Sequence, residues 1–176
     1  MSGFGKIFPS RPIATVTPIT PPASPPDLIS IPWFKWFSDR LGWTEFDHDK
    51  ELSKGWKYCG LDYTTVIGSS HAWCAMALNT ALIESGYKGT GSAAASSFEK
   101  YGTPCDWIQG AIVPIRHVGG SHHVTLFHHW VIKENRVAAC LGGNQQNSIS
   151  IAHYNLSGNS SGHEECSNGP KWPIKA

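Results

Sequence analysis

Apolar residues between positions 31 and 102 recur at the three- and four-residue spacing of helices. Pro32 suits a first helical position and Gly42 a stop. The apolar stripe between them consists of Trp33, Phe34, Trp36, Phe37 and Leu41. We predict a short helix here, a second short helix within residues 47–65, and a further helix over Ser92–Tyr101 that ends at Gly102.

The clearest helical pattern covers Ser69–Gly86. Ser70 can cap its N-terminus and Gly86 can end it. Its apolar face consists of Ala77, Leu78, Ala81 and Leu82. Cys74 therefore falls in the first turn of the predicted helix.

After residue 102 the pattern changes to short runs of β-branched and apolar residues. The runs are Gly110–Ile115, His123–Ile132, Arg136–Leu141 and Ser148–Tyr154. The turn Lys133-Glu134-Asn135 predicts a hairpin between the second and third runs. Helices followed by antiparallel strands predict an α+β domain over residues 29–176, with N-terminal helices packed on a C-terminal antiparallel sheet.

Residues 1–28 differ from the rest because the stretch from Ser10 to Pro26 is rich in Pro, Thr and Ser. We predict a flexible leader rather than core. The start of the chain has no continuous apolar segment typical of a secretory signal, and no run approaches the roughly 20 apolar residues that span a bilayer. We therefore expect a protein made in the cytoplasm without a Sec signal and without a membrane span.

Composition and charge narrow the classes of function. Hydrophobic residues make up 40% of the chain and charged residues 15%, which is typical of a globular domain. The formal net charge of +1 gives no electrostatic basis for nucleic acid as a partner.

The five cysteines are odd in number and contain no CxxC pair, which argues against a structural zinc site. The run HHVTLFHH lacks the HExxH spacing and has no accompanying carboxylate, so we predict neither a metal nor another cofactor. The sequence does not decide whether the cysteines other than Cys74 form disulfides. These cysteines are Cys59, Cys105, Cys140 and Cys166.

A cysteine in the first turn of a helix suits nucleophilic chemistry, since the helix dipole and free backbone N–H groups favour a thiolate. The thiolate also needs a base, and a histidine on a strand that crosses the helix N-terminus can supply it. His122 and His123 point to opposite faces of their strand, so only one can face Cys74. Asn144, in LGGNQ, can accept from the imidazole and orient it.

The segment WCAMALNTALIESGYKGTGSAAASSFEKYG (73–102), followed by GAIVPI, HVTLF, LGGNQQNSISIAHY and a closing KWP, resembles the CHAP amidohydrolase/peptidase family, relatives of the NlpC-type peptidases. The resemblance covers roughly residues 33–173. It implies a papain-like fold with Cys74 as nucleophile, His123 as general base and acid, and Asn144 as orienting residue. His123 is preferred over His122 because it directly precedes Val124 in the matched motif.

Family members hydrolyse the N-acetylmuramoyl-L-alanine amide or a stem or cross-bridge peptide bond of peptidoglycan, so the resemblance implies that substrate. Ala111 and Thr125 depart from the usual GDIVV and HVG motifs, where an Asp and a Gly stand. Three further residues are candidates for substrate binding. They are Trp73, Gln145 and His122. Trp73 is better explained by core packing, and Gln145 could equally well bond to loop backbone.

Two biological settings fit this chemistry. One is an antibacterial effector that is delivered, for example by type VI secretion, into the periplasm of a target bacterium and is countered by a cognate immunity protein. The other is a phage-type lysin. The Pro-rich leader favours the effector, and we expect a monomer. The alternative is a non-catalytic module that binds wall peptides or a partner protein with the same fold.

Overall fold

The structure is a computed structural model that describes residues 31–68, 70–158 and 163–176. The predicted leader over residues 1–28 lies outside the described residues. Among the described helices, none is long and apolar enough to cross a membrane.

The N-terminal half is helical. Helix α1 covers Pro32–Ser38, α2 covers Asp49–Ser53 and α3 covers Cys74–Glu84, and two 3₁₀ segments cover Lys54–Cys59 and Ala95–Lys100. Pro32 occupies the N-terminal end of α1, as predicted. The first 3₁₀ segment continues directly from α2. The short helix predicted within residues 47–65 is therefore present, as an α-helical turn followed by a 3₁₀ segment.

In the described part of the chain, seven strands form one sheet in which every pairing is antiparallel. The strands are β1 (Thr103–Pro104), β2 (Ile112–Arg116), β3 (His122–Ile132), β4 (Val137–Gln145), β5 (Ser148–Asn155), β6 (Glu165–Cys166) and β7 (Lys171–Trp172). Their order is β1-β7-β2-β3-β4-β5, and β6 pairs with β2. The predicted hairpin joins β3 to β4. Helices followed by an antiparallel sheet confirm the α+β class.

Alternation along β3 separates two apolar cores. Val124 and Leu126 belong to the larger core, which the helices share with one face of the sheet. Phe127 belongs to a smaller core on the opposite face, together with Val113 and Cys140. Before the register shift that follows Phe127, the odd-numbered residues of β3, including His123, therefore lie on the face opposite Val124 and Leu126.

Three details of the helical prediction were wrong. Helix α3 begins at Cys74 rather than near Ser70, whose hydroxyl bonds to the neighbouring His71 ring instead of capping the helix. Ser69, the predicted first residue, lies outside the described residues. The helix predicted from Ser92 is a short 3₁₀ segment, because the Ser92 hydroxyl accepts from the Ala94 N–H in a local turn.

The third detail concerns the end of α1. The apolar stripe of the first predicted helix includes Leu41 and so predicts that it is buried, yet Leu41 is 53% exposed. The helix ends at Ser38, and the Gly42 N–H donates to the Ile149 carbonyl, so the chain turns here to run beside β5. Helical spacing no longer applies to Leu41.

Gly143 on β4 allows α3 to approach the sheet closely. A Cβ at this position would lie 2.6 Å from the Trp73 ring and 3.0 Å from the Ala77 Cβ. A side chain here would push α3, and with it Cys74, away from the strands.

We therefore expect Gly143→Ala to lower the free energy of unfolding by about 1–3 kcal/mol through overpacking, measured by urea denaturation. Gly119→Ala is the matched control, because a Cβ there would meet nothing within 4 Å. Equal stability of the two variants would contradict the close packing of α3 on β4.

Candidate active site

The Cys74 thiol lies at the N-terminus of α3, because Cys74 is the first helical residue. Burial raises the pKa of the thiol above its ordinary value of 9.0, and hydrogen bonds from the backbone N–H groups of Val124, Ala75 and Cys74 itself act in the opposite direction. These N–H groups and the positive end of the helix dipole offset only part of the effect of burial, so the site favours the thiol over the thiolate that the sequence pattern predicted.

The Val124 N–H is free to contact the thiol because of its partner on β2. Pro114 lies opposite Val124, but its carbonyl accepts from the Ser167 N–H on the other side of β2 and is therefore not the acceptor of the Val124 N–H. On the other side of β3, pairing with β4 begins only at Leu126 and Leu141. The start of β3 thus offers a strand N–H to a group from outside the sheet, and the Cys74 thiol lies close enough for this N–H to lower its pKa.

His123 directly precedes Val124, so the contact between the thiol and the Val124 N–H brings Cys74 to the same end of β3. The imidazole is 8% exposed. Burial lowers the pKa of His123 to about 4, a hydrogen bond with the Gln145 side chain acts against this shift, and nearby His117 adds to it. The ring is therefore neutral at pH 7 and can accept a proton.

The His123 Nε2 atom is buried and has no hydrogen-bond partner among the described residues. The structure thus places a thiol and a neutral imidazole at one strand end without a hydrogen bond between them through Nε2. Catalytic hydrogen bonds often tighten only when substrate binds, so this geometry is compatible with a Cys-His pair.

A bulge in β4 decides which residue faces His123. Gly142 pairs with Ser150 and Gln145 pairs with Ser148, so three steps along β4 correspond to two along β5. The extra residue is accommodated where Asn144 adopts a left-handed backbone with φ of 58°. Plain alternation from Gly142 would put residue 144 on the His123 face, but the bulge puts Gln145 there.

Gln145 is held rigidly behind the imidazole. Its Oε1 accepts from Thr125 Oγ1 and from the Tyr154 hydroxyl, both at 3.1 Å, and its Nε2 donates to the Ser150 carbonyl. The Tyr154 ring stacks on His123 with centroids 5.8 Å apart. Thr125, one of the two departures from the family motif, therefore supports this residue. Sequence reasoning placed Gln145 among candidate substrate contacts and missed its contact with His123, because the bulge leaves no signal in strand periodicity.

Asn144, the predicted orienting residue, lies elsewhere. It is half-buried and lines a cavity of about 210 Å³ together with Glu45, Gly68, Ala72 and Asn147. Within the described residues it forms no hydrogen bond with His123. The structure brings Cys74, His123 and Gln145 to one strand end and leaves Asn144 beside them, facing this cavity.

The other two candidates for substrate binding are separated. Trp73 is fully buried between α3 and β4, and its Nε1 donates to Glu45 Oε2 at 3.4 Å. This placement favours core packing over substrate contact. His122 lies on the opposite face of β3 from His123, is partly exposed, and its Nε2 is 3.1 Å from Glu99 Oε1.

The four remaining cysteines are free thiols, of which Cys59 and Cys140 are buried and Cys105 and Cys166 are half-buried. No group of three or more His, Cys, Asp or Glu residues in the described part of the chain is arranged to hold a metal ion.

Comparisons with known proteins identify no relative of this chain. No family model, no curated protein and no solved structure matches the chain. The assignment of function therefore depends on the site geometry and on the motif resemblance.

The burial of neutral His123 predicts acid sensitivity. An unfolded histidine binds a proton near pH 6.5 but native His123 only near pH 4, so the unfolded state binds more protons between these values and stability falls as pH falls. Between pH 7 and 4.5 we expect the wild type to lose about 2 kcal/mol more unfolding free energy than His123→Gln in urea denaturation.

His153→Gln, at an exposed histidine of β5, is the control and should lose as much stability as the wild type. If His123→Gln showed the same acid sensitivity as the wild type, His123 would not be a buried neutral group.

Proposed function

We propose that this chain is a papain-like cysteine hydrolase that cleaves an amide bond of bacterial peptidoglycan. One observation carries the catalytic part of the proposal. The Cys74 thiol, first in α3, contacts the N–H of Val124, the residue that follows a buried neutral histidine. A sulfur nucleophile, a base and backbone donors for negative charge are thereby collected at one end of β3.

The reaction is an acyl transfer. Neutral His123 accepts the thiol proton as Cys74 attacks the amide carbonyl, and backbone N–H groups at the start of α3 stabilise the oxyanion. Protonated His123 then donates to the leaving amine. In the second half, His123 deprotonates a water molecule that hydrolyses the thioester and releases the free enzyme.

We assign the orienting role to Gln145. An amide oxygen that accepts from the imidazole N–H fixes the tautomer, and the hydrogen bonds from Thr125 and Tyr154 hold that oxygen in place. Asn144, to which the motif resemblance gave this role, lines the neighbouring cavity.

The substrate and the setting rest on the resemblance to the CHAP family. The scissile bond is the N-acetylmuramoyl-L-alanine amide or a stem or cross-bridge peptide bond. The protein acts in the cell wall as an antibacterial effector with a cognate immunity protein, or as a phage-type lysin. Liquid chromatography and mass spectrometry of the muropeptides released from purified sacculi identify the bond.

Two observations favour a second function. Burial raises the pKa of the Cys74 thiol, and His123 Nε2 has no hydrogen-bond partner in the described residues. These features would suit a silent module that binds wall peptides in the same place. Such a module would bind sacculi without releasing fragments.

Removal of the nucleophile separates the two functions. We expect Cys74→Ala to reduce the release of muropeptides by about 10⁴-fold or more, because loss of the nucleophile removes the covalent route. Cys105→Ala removes a thiol at the half-buried position before β2 and should retain the wild-type rate. Undiminished release by Cys74→Ala would refute the cysteine mechanism.

Substitutions in the β4 bulge test the orienting role. We expect Gln145→Ala to lower kcat by about 10²-fold or more with little change in KM, since a misoriented imidazole slows proton transfer. Asn144→Gly tolerates the left-handed backbone and leaves the imidazole untouched, so it should keep kcat within about threefold, whereas loss of a substrate contact in the neighbouring cavity would raise KM. Kinetics with soluble muropeptides measures both, with unfolding midpoints as a check on folding. The reverse order of the two effects would return the role to Asn144.

A further inference from the structure

A cavity lies beside the proposed nucleophile and has no part in the mechanism above. This cavity of about 210 Å³ is lined by Glu45, Gly68, Ala72, Asn144 and Asn147, and we call it the Glu45 pocket. Ala72 is two residues before Cys74, and Asn144 directly precedes Gln145. A group bound in this pocket is therefore close to the reacting amide.

The pocket contains a buried acid without a cationic partner. Glu45 is 4% exposed, and its one side-chain hydrogen bond within the described residues is the long contact from Trp73 Nε1. The ion pairs of the described residues do not include Glu45. Because buried carboxylates are rare unless they are paired, Glu45 lacks a counter-charge that a ligand can supply.

Backbone hydrogen bonds hold Glu45 in place. The Glu45 N–H donates to the Asn147 carbonyl at 3.0 Å, Thr44 forms a bridge with Ser148, and the Trp43 carbonyl accepts from the Ile149 N–H. The segment before Glu45 thus runs as a short extension of the sheet beside β5. The position of the carboxylate is set by the fold before any ligand arrives.

Asparagine side chains supply the other polar groups of the pocket. Asn144 and Asn147 both have left-handed backbones, with φ of 58° and 59°, and both line the pocket, where an asparagine amide oxygen can accept a hydrogen bond. A carboxylate and amide oxygens are all acceptors, which matches a primary ammonium group with its three donors.

We propose that the Glu45 pocket binds a primary ammonium group of the peptide substrate, with Glu45 as its counter-charge, and so selects substrates that carry a free amine. This inference rests on the proposed function. Stem peptides that contain a diamino acid offer such an amine on its side chain, and a free stem peptide offers a second one at its N-terminus.

The test compares hydrolysis of two preparations of the same sacculi, one untreated and one treated with acetic anhydride to acetylate its amines. The wild type should show a kcat/KM about tenfold or more higher on untreated sacculi, as is typical when a charged hydrogen bond is lost. Glu45→Gln, which can still accept from Trp73, should lose this preference. Glu134→Gln, in the β3–β4 hairpin at the far end of β3, should retain it.

Each result bears on the inference. Wild-type hydrolysis without a preference for free amines, or a preference that survives in Glu45→Gln, would overturn it while leaving the cysteine mechanism intact. Equal slowing of Glu45→Gln on both preparations would show that Glu45 acts only as an anchor for Trp73, and would also overturn it.

Calorimetry gives a second measurement that needs no turnover. A free stem tetrapeptide with a diamino acid should bind Cys74→Ala about tenfold or more tightly than the fully acetylated peptide, and the Glu45→Gln/Cys74→Ala double variant should bind both alike. Peptides acetylated at a single amine show which amine the pocket takes. If the wild type hydrolysed no sacculi, the proposed function would fail, and equal binding of free and acetylated peptide would separately overturn the inference.

Discussion

The N-terminus of α3 meets the sheet where β3 begins, and the rest of the site depends on this contact. The Val124 N–H can reach the Cys74 thiol because Pro114 does not engage it from β2 and because β4 pairs with β3 only from Leu126 onward. Close packing at Gly143 keeps the helix at this distance. Apolar packing and strand pairing thus combine to place one sulfur atom.

The two faces of β3 have different roles. Val124 and Leu126 anchor the sheet to the helices, while His123 and Thr125 face the opposite side with Gln145 and Tyr154. Burial of this second set keeps the imidazole neutral, with a pKa lowered to about 4. The same burial that prepares a base makes the folded protein sensitive to acid, because the unfolded histidine gains a proton that the native one excludes.

Periodicity in the sequence predicted the α+β class, the four long strands, the β3–β4 hairpin and the place of Cys74 at a helix start. It could not predict where local turns compete with helices, as at Ser92, or where the chain leaves a helix to pair with a distant strand, as at Gly42. It also could not show the bulge, because one extra residue in β4 leaves composition and spacing almost unchanged. The neighbour of His123 and the burial of Glu45 became visible only in three dimensions.

The bulge at Asn144 also shows how such a site can change in evolution. In a regular strand, exchanging the residue that faces the imidazole requires a substitution at that position. Here regular pairing of the same residues would instead present Asn144 to the imidazole, so the bulge selects between two adjacent side-chain amides. The group behind the histidine is therefore set by strand pairing as much as by residue type, and because both residues carry an amide oxygen, either pairing would offer the imidazole the same kind of acceptor.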